Sequence, residues 1–214
     1  MKYYLMIGVL LTAAALMATV VAYPHLPSSV ATHWDMDGQP NSYSPKWAVF
    51  LTGPGLMAGI VLLMYFLPWL SPRNFELSNF RPAYCRIMLI VVCMLAYFHA
   101  LVLWVGIGHP LRMGRATIGG ACVLIALLGN LMGKVRRNFF IGIKTPWTLA
   151  SERVWNVTHR FAAKAFVLGG VVGLAFTAFG LAGWLSIVAL ATGALLPVLY
   201  SLVFYQQLQR RGEL

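Results

Sequence analysis

The chain has 214 residues, of which 60% are hydrophobic and only 10% are charged. A water-soluble domain usually carries about 25% charged residues, so this composition excludes an ordinary soluble globule. Sixteen Lys and Arg against five Asp and Glu give a formal net charge of +11. Because these cations lie between apolar runs, their placement indicates orientation in a membrane, and we expect no direct binding of nucleic acid.

Six apolar runs are long enough to cross a lipid bilayer. A hydrocarbon core about 30 Å thick requires about 20 apolar residues per helix, and every backbone amide in lipid needs an internal partner. The runs therefore predict an all-α polytopic membrane protein with about six transmembrane helices. They cover residues 3–22, 47–70, 83–105, 116–132, 165–181 and 184–205. We interpret the first run as an uncleaved span, because it exceeds the usual signal-peptide core of about 7–15 residues.

The distribution of Lys and Arg predicts which side of the membrane each loop faces. With the N-terminus inside, thirteen of these cations lie on the cytoplasmic side, and only Lys46, Arg112 and Arg115 lie outside. Cytoplasmic loops carry the excess of positive residues. We therefore expect a multi-pass protein of the bacterial cytoplasmic (inner) membrane with both termini in the cytoplasm. We divide it into two regions of three spans, residues 1–115 and 116–214.

Residues 23–46, the proline-rich loop, form the longest of the predicted outer segments. Its prolines exclude a long helix, and Asp37-Gly38 is a turn signal, so we expect a compact loop over the mouth of the bundle. His25, His33, Asp35 and Asp37 carry groups that bind Zn²⁺ in proteins. Their spacing matches no strong zinc motif such as HExxH, so we expect polar turn residues and no cofactor, with metal binding as the alternative.

Two features inside the spans point to the same side of the membrane. Gly53-Pro54-Gly55 interrupts the second run, and proline removes a helix hydrogen bond, so a kink or local opening is expected. His99 lies in the outer half of the third run, where an ionisable group indicates a functional site or a neutral His bonded to a neighbouring carbonyl. Together they predict an outward-facing pocket under the proline-rich loop.

Residues 133–164, the basic loop, connect the fourth and fifth runs on the predicted cytoplasmic side. Thr145 and Pro146 suit the cap and first position of a helix, and Ser151 is a second candidate cap. From there the spacing predicts an amphipathic helix along the inner surface that bends into the fifth span. Its apolar face comprises Val154, Trp155, Thr158, Phe161, Ala162 and Ala165. Its other faces carry Glu152, Arg153, Asn156, His159, Arg160 and Lys164.

Two interpretations of the amphipathic helix remain open from the residues alone. Basic and aromatic side chains together are typical of a helix anchored at an anionic lipid surface. An amphipathic helix with exposed Arg and His can also dock a protein. We further expect Asn130 to bond a neighbouring turn, and Glu152 to pair with one of three nearby cations, Arg136, Arg137 or Lys144.

The motif GNxMGKVxxNxFxGIxTPWTLxSExVWxxTHR, residues 129–160, resembles the signature of the SdpI (sporulation-delaying-protein immunity) family of integral membrane proteins. The run YPxLPxxVxTHWxxxGxPxxY, residues 23–43, is similar to the domain of unknown function that often precedes it. Together the two motifs touch both loops, and the resemblance extends over nearly the whole chain. It marks residues 116–214 as the SdpI-like region.

The resemblance implies immunity against a secreted membrane-active peptide toxin. It also implies that a cytoplasmic ArsR-like repressor can be held at the membrane when toxin is present. The residues that the motif of residues 129–160 marks as a binding site are Asn130, Arg136, Asn138, Gly142, Lys144, Thr145, Pro146, Trp147, Glu152, Trp155, His159 and Arg160. Those carried over from the proline-rich loop are His33, Trp34, Gly38 and Lys46.

The resulting prediction is an immunity and signalling protein without catalytic activity whose partners are the bilayer, a toxin and a repressor. Two other function classes stay open. A small-solute transporter or channel would use the broken second span and His99, although the spans hold little inward charge and no obvious inverted repeat. A metal-dependent membrane enzyme would use the outer His and Asp residues, which lack a convincing nucleophile–base pair.

Overall fold

Six long helices dominate the computed structural model, which describes residues 1–35, 38–72 and 77–214. All six are long and apolar enough to cross a membrane, which confirms the predicted all-α polytopic fold. The helices are α1 (Lys2–Ala22), α2 (Ala48–Phe50) continued by α3 (Leu56–Leu70), α4 (Arg81–Gly106), α5 (Met113–Met132), α7 (Glu152–Ala178) and α8 (Gly183–Arg210). A short α6 (Pro146–Ala150) precedes α7, and 3₁₀ turns occupy Tyr23–His25 and Leu77–Phe80.

Glycines on α7 and α8 allow these two helices to approach closely. A Cβ added at Gly169 would lie 2.8 Å from the carbonyl oxygen of Ala189 and 3.4 Å from the Cα of Gly193. Helices in lipid gain stability from this backbone proximity, because hydrophobic burial alone favours association weakly there. Helix α7 also packs against α5, while α4 packs against α1, α3 and α5.

The main hydrophobic core lies at the end of the bundle that carries the basic loop. Tyr84 of α4, Leu131 of α5 and Trp155 of α7 belong to one cluster of buried side chains. The Tyr84 hydroxyl donates a hydrogen bond of 3.0 Å to the carbonyl oxygen of Met64, which ties α4 to α3. This core contains residues from both halves of the chain, so it does not separate them. The boundary between residues 1–115 and 116–214 stays a prediction.

A two-stranded antiparallel hairpin, which the sequence analysis did not predict, forms most of the proline-rich loop. Strands β1 (Ser29–Trp34) and β2 (Pro40–Pro45) pair from Ser29 opposite Pro45 to Trp34 opposite Pro40, with irregular register near His33. Both prolines of β2 occupy strand ends, where their missing N–H costs least. Val30, 2% exposed, anchors the hairpin in a cluster with residues of α1, α2 and α4.

The interruption predicted at Gly53-Pro54-Gly55 is confirmed as a π-helical turn, Leu51–Gly55, between α2 and α3. Gly53 in this turn makes room for His99 of α4, because an added Cβ would collide with the imidazole ring. The Nε2–H of His99 donates to the hydroxyl oxygen of Thr19 at 2.7 Å, and that hydroxyl donates to the carbonyl oxygen of Ala15. The expected carbonyl partner of His99 is therefore replaced by a threonine hydroxyl.

The predicted interfacial helix is not a separate element. Ser151 caps α7, accepting a hydrogen bond from the backbone N–H of Val154, and α7 then continues unbroken to Ala178. No proline interrupts residues 152–178, so the amphipathic turns and the fifth span form one helix of 27 residues. The cap and first position predicted at Thr145 and Pro146 are both confirmed in α6.

Candidate functional site

Asn138 holds the centre of the basic loop through four hydrogen bonds to the loop backbone. Its Oδ1 accepts from the backbone N–H groups of Phe140 and Ile141 at 2.8 and 2.7 Å. Its Nδ2 donates to the carbonyl oxygens of Arg136 and Ile141 at 2.8 and 2.9 Å. The side chain is fully buried, so its hydrogen bonds replace the water that the loop backbone would otherwise require.

His159 joins the basic loop to α7. Its Nδ1 lies 2.8 Å from the carbonyl oxygen of Trp155, and its Nε2 accepts from the backbone N–H of Ile143 at 3.0 Å. A carbonyl can only accept, so the imidazole proton is on Nδ1. We predicted His159 on a polar face of the helix, which is wrong: the ring is 1% exposed, because the loop segment around Ile143 covers it.

Trp155 and Gly142 complete the contact between the basic loop and α7. The indole Nε1–H of Trp155 donates to the carbonyl oxygen of Val135 at 2.8 Å, and the indole stacks on His159 with ring centroids 4.0 Å apart. Gly142 has φ +124°, and an added Cβ would lie 2.5 Å from the His159 Nε2 and 3.1 Å from the Trp155 ring. Glycine is therefore required here by both conformation and space.

Helix α6 links the basic loop to α8. Thr145 and Thr148 cap it reciprocally: the backbone N–H of Thr145 donates to the Thr148 hydroxyl at 2.8 Å, and the Thr145 hydroxyl accepts from the N–H of Thr148. Trp147 then reaches α8, where its indole N–H donates to the Ser201 hydroxyl. Thr148 was not among the residues predicted from the motif, although it occupies the third position of the helix, from which a capping-box side chain reaches back to the cap.

The charged candidates of the motif, Arg136, Lys144, Glu152 and Arg160, are exposed. Lys144 Nζ donates to the carbonyl oxygens of Phe139 and Phe140 at 3.1 and 3.3 Å, which closes the loop without neutralising the charge. We define the exposed basic residues as those of the basic loop whose side chains face solvent or lipid headgroups: Lys134, Arg136, Lys144, Arg153, Arg160 and Lys164. Of these, Arg153 forms a salt bridge of 2.7 Å with Glu213.

Two expected contacts of the basic loop are absent from the part of the chain that the structure describes. Glu152 is exposed and forms no ion pair there with Arg136, Arg137 or Lys144. It begins α7, where its charge instead favours the helix N-terminus. Asn130 was expected to bond a neighbouring turn, but it is exposed and borders a groove that also contains Arg86. That expectation is therefore wrong.

At the opposite end of the bundle, the four candidates of the proline-rich loop occupy different positions on the hairpin. His33 is exposed, and its Nδ1 lies 2.5 Å from the Oδ1 of Asn41 across the strands. Lys46 Nζ lies 4.6 Å from the centroid of the Tyr23 ring, a cation–π contact. Gly38 has φ +81° in the turn, which favours glycine.

Trp34 lines a cavity of about 540 Å³ under the hairpin. The walls are mostly apolar and come from β1, α4, α5 and α8; they include Phe98, Thr117 and Ile187. A pocket under the proline-rich loop was predicted, and this cavity lies there. Its lining excludes His99 and Gly53-Pro54-Gly55, however, because those residues pack against α1 on another side of α4.

The described members of the proposed zinc set do not converge. Among residues 1–35, 38–72 and 77–214, no group of three or more His, Cys, Asp and Glu could hold a metal ion. His25 and His33 are both exposed, and the Asp35 carboxylate accepts a hydrogen bond of 2.8 Å from the backbone N–H of Gln39. Asp37, the fourth candidate, lies outside the described residues.

Comparison with known proteins finds a family match at each of these two ends. Residues 134–201 match the model of the SdpI/YfhL protein family, and residues 10–58 match a domain of unknown function, DUF1648. The chain is also 24% identical over 166 residues to Immunity protein SdpI of Bacillus subtilis (strain 168), an alignment that covers 78% of this chain and 77% of that protein. No solved structure matches the chain significantly.

The first match contains the buried bonds of Asn138, Trp155 and His159, and the second contains the hairpin with His33 and Trp34. The resemblance predicted from the motifs is therefore confirmed: residues 134–201 of this membrane protein form an SdpI-like region, which a DUF1648 segment at residues 10–58 precedes.

Proposed function

We propose that this membrane protein confers immunity against a secreted, membrane-active peptide toxin. The observation that carries the proposal is the 24% identity to Immunity protein SdpI over 78% of the chain. The two matched regions also include the proline-rich loop and the basic loop, so the similarity extends to the parts of the molecule that a soluble partner can contact. Immunity of this kind needs binding and conformational response, and no catalytic step.

The proposed orientation places both termini in the cytoplasm of a bacterial cell and the hairpin outside. It rests on the excess of Lys and Arg on one side of the membrane, which correlates with the cytoplasmic side. In this orientation the cavity under the hairpin faces the side from which a secreted toxin arrives. The exposed basic residues then face the cytoplasm.

Expression in toxin-sensitive cells tests the immunity proposal. Cells that carry the protein should survive a toxin dose that kills cells with an empty vector, with the protein detected in the membrane fraction of both wild type and variants. Trp34→Ala, which opens the cavity wall, should reduce survival. Trp47→Ala is the matched control, because Trp47 is 56% exposed and lies outside the cavity lining. Unchanged killing despite membrane insertion of the wild type would contradict the proposal for that toxin.

Reporter fusions test the orientation separately. A fluorescent protein fused after Leu214 should fluoresce, because it folds in the cytoplasm, and alkaline phosphatase inserted between β1 and β2 should be active, because it requires export. The opposite pattern would place the hairpin in the cytoplasm and remove the basis for toxin sensing there.

A second part of the proposal assigns the readout to the basic loop, as the surface that holds an ArsR-like repressor. Buried bonds of Asn138 and His159 fix the backbone of this loop, while Arg136, Lys144 and Arg160 remain exposed. A rigid surface with unneutralised cations is complementary to an acidic protein surface. The assignment rests on this charge and on the family resemblance.

Copurification tests this readout. An ArsR-like repressor of the same cell should copurify with the wild type after toxin exposure and be largely lost with Arg136→Gln/Arg160→Gln. Arg210→Gln/Arg211→Gln removes the same charge from the exposed end of α8 and should retain the repressor. Equal recovery with both double variants would reject the basic loop as the docking surface.

A further inference from the structure

Two cavities adjoin at the hairpin end of the bundle. The apolar chamber, defined above by Trp34, Phe98 and Ile187, has a volume of about 540 Å³. A second cavity of about 400 Å³, the arginine chamber, is lined by Gln39, Arg112, Arg115 and Thr177 among others. Met113, Gly114 and Ile118 of α5 line both, so one wall is shared. Both volumes fall in the range of about 300–1,000 Å³ that is typical of ligand pockets.

The apolar chamber extends from the hairpin into the membrane-spanning part of the bundle. Phe98 on its wall lies eight residues before the end of α4 at Gly106, or about 12 Å along the helix axis. Ile187 of α8 is 40% exposed on the outer surface of the bundle, so it forms a rim that lipid can reach. The chamber is therefore open to an apolar chain that enters from the bilayer.

The arginine chamber is lined by two cations, Arg112 and Arg115. Neither Arg112 nor Arg115 forms a salt bridge with any residue that the structure describes. The Arg115 guanidinium packs over Gly180, where an added Cβ would lie 2.7 Å from its Nη2, so the guanidinium is held at the turn between α7 and α8. Asp35 lies on the wall of the apolar chamber, but its carboxylate is bonded to the Gln39 backbone.

We propose that the two chambers form one binding site for an anionic phospholipid. Its phosphate lies against Arg112 and Arg115, and one acyl chain occupies the apolar chamber. The charge of the arginines selects a negative headgroup, and the apolar walls exclude a fully hydrophilic anion. Basic pockets between transmembrane helices recognise anionic lipid headgroups in this way. Because the apolar chamber opens at the rim formed by Ile187, a bilayer lipid has direct access to it.

Trp34 provides a readout confined to this site. The full chain is reconstituted in phosphatidylcholine vesicles that contain increasing fractions of phosphatidylglycerol with brominated acyl chains, which quench indole fluorescence on contact. The difference between wild type and Trp34→Phe isolates the Trp34 contribution. Half-quenching of Trp34 should occur at a much lower fraction of brominated phosphatidylglycerol than of brominated phosphatidylcholine, with each arginine contributing about fivefold.

Two sets of variants distinguish this site from general attraction to anionic lipid. Arg112→Gln/Arg115→Gln should abolish the preference for phosphatidylglycerol, and Arg210→Gln/Arg211→Gln, with equal charge removed at the other end, should keep it. Ile187→Phe should narrow the chamber without adding an indole and reduce quenching of Trp34 by both lipids, and Ile187→Leu should not. Equal quenching of wild type by the two lipids, or equal loss with both arginine pairs, would overturn the proposal.

A competition experiment tests whether a peptide binds in the two chambers in place of the lipid. An apolar hexapeptide with a free C-terminal carboxylate carries the same charge and chemistry without a bilayer chain. The peptide is added in amounts below that of the lipid and is compared with the same peptide bearing a C-terminal amide. If only the carboxylate form displaces brominated phosphatidylglycerol from Trp34, the site selects peptide carboxylates and the lipid assignment is wrong. Failure of both peptides to displace the lipid supports the proposal.

Discussion

The basic loop and the hairpin both contain hydrogen bonds between polar side chains and their surroundings, but the burial of those side chains differs. Asn138 and His159 are 0% and 1% exposed and bond to the loop backbone. On the hairpin, the comparable cross-strand pair of His33 and Asn41 is exposed. Losing a buried partner leaves a backbone group without water, whereas an exposed group is rehydrated. The basic loop should therefore be much harder to deform than the hairpin.

This difference agrees with the two roles proposed above for the two ends of the molecule. A surface that presents cations to a partner gains specificity when its backbone is fixed, because less ordering is required on binding. A hairpin over a cavity must admit a ligand, and segments with few buried polar contacts open at lower free energy. Four stability measurements, in order of decreasing expected effect, test whether the basic loop and the hairpin differ in this way.

Asn138→Ala should have the largest effect. It removes four hydrogen bonds and leaves the backbone N–H groups of Phe140 and Ile141 without their acceptor, which should lower the free energy of unfolding by about 3–5 kcal/mol. Asn41→Ala, the matched control on the hairpin, should cost less than about 1 kcal/mol because water replaces the lost partner. Thermal unfolding in detergent measures both. Similar losses for the two variants would remove the contrast between the ends.

Gly142→Ala should follow, with a loss of about 2–3 kcal/mol, because a positive φ and a collision with His159 coincide there. Gly108, at the hairpin end, also has a positive φ of +95°, but an added Cβ meets nothing within 4 Å. Gly108→Ala should therefore cost only the backbone strain, about 1 kcal/mol. Equal melting temperatures of the two variants would show that the collision with His159 is relieved without cost.

Trp147→Phe should have a smaller effect, about 1 kcal/mol, since it removes one hydrogen bond to Ser201 and retains most of the aromatic packing. A double-mutant cycle with Ser201→Ala isolates the pairwise contribution. The double variant should be no less stable than the less stable single variant. Strictly additive losses would indicate that α6 is held on α8 by packing alone.

The smallest effect is expected at Lys46. Lys46→Gln removes the cation–π contact with Tyr23 and should lower stability by about 0.5 kcal/mol. Tyr23→Leu serves as the control, because Lys46→Gln in that background should have no effect. A loss above about 2 kcal/mol for Lys46→Gln alone would mean that the hairpin depends on this contact far more than its exposure suggests.

Local patterns in the sequence determined the membrane architecture and the caps of α6 and α7. Hydropathy over about 20 residues and the cap residues Thr145 and Ser151 act through neighbouring backbone, so no knowledge of the tertiary structure was required. The motifs likewise predicted which loop residues form a binding site. They did not distinguish buried residues that hold a loop from exposed residues that can meet a partner.

Only the tertiary structure decided that distinction. His159 was predicted on a polar face, because helical periodicity alone cannot show that a loop 16 residues earlier in the chain will cover the ring. Trp147 meets Ser201 across 54 residues, and the two chambers combine walls from the hairpin and four helices, α4, α5, α7 and α8. Such contacts depend on how separate elements pack, and packing depends on residues far apart in the sequence, which local periodicity does not encode.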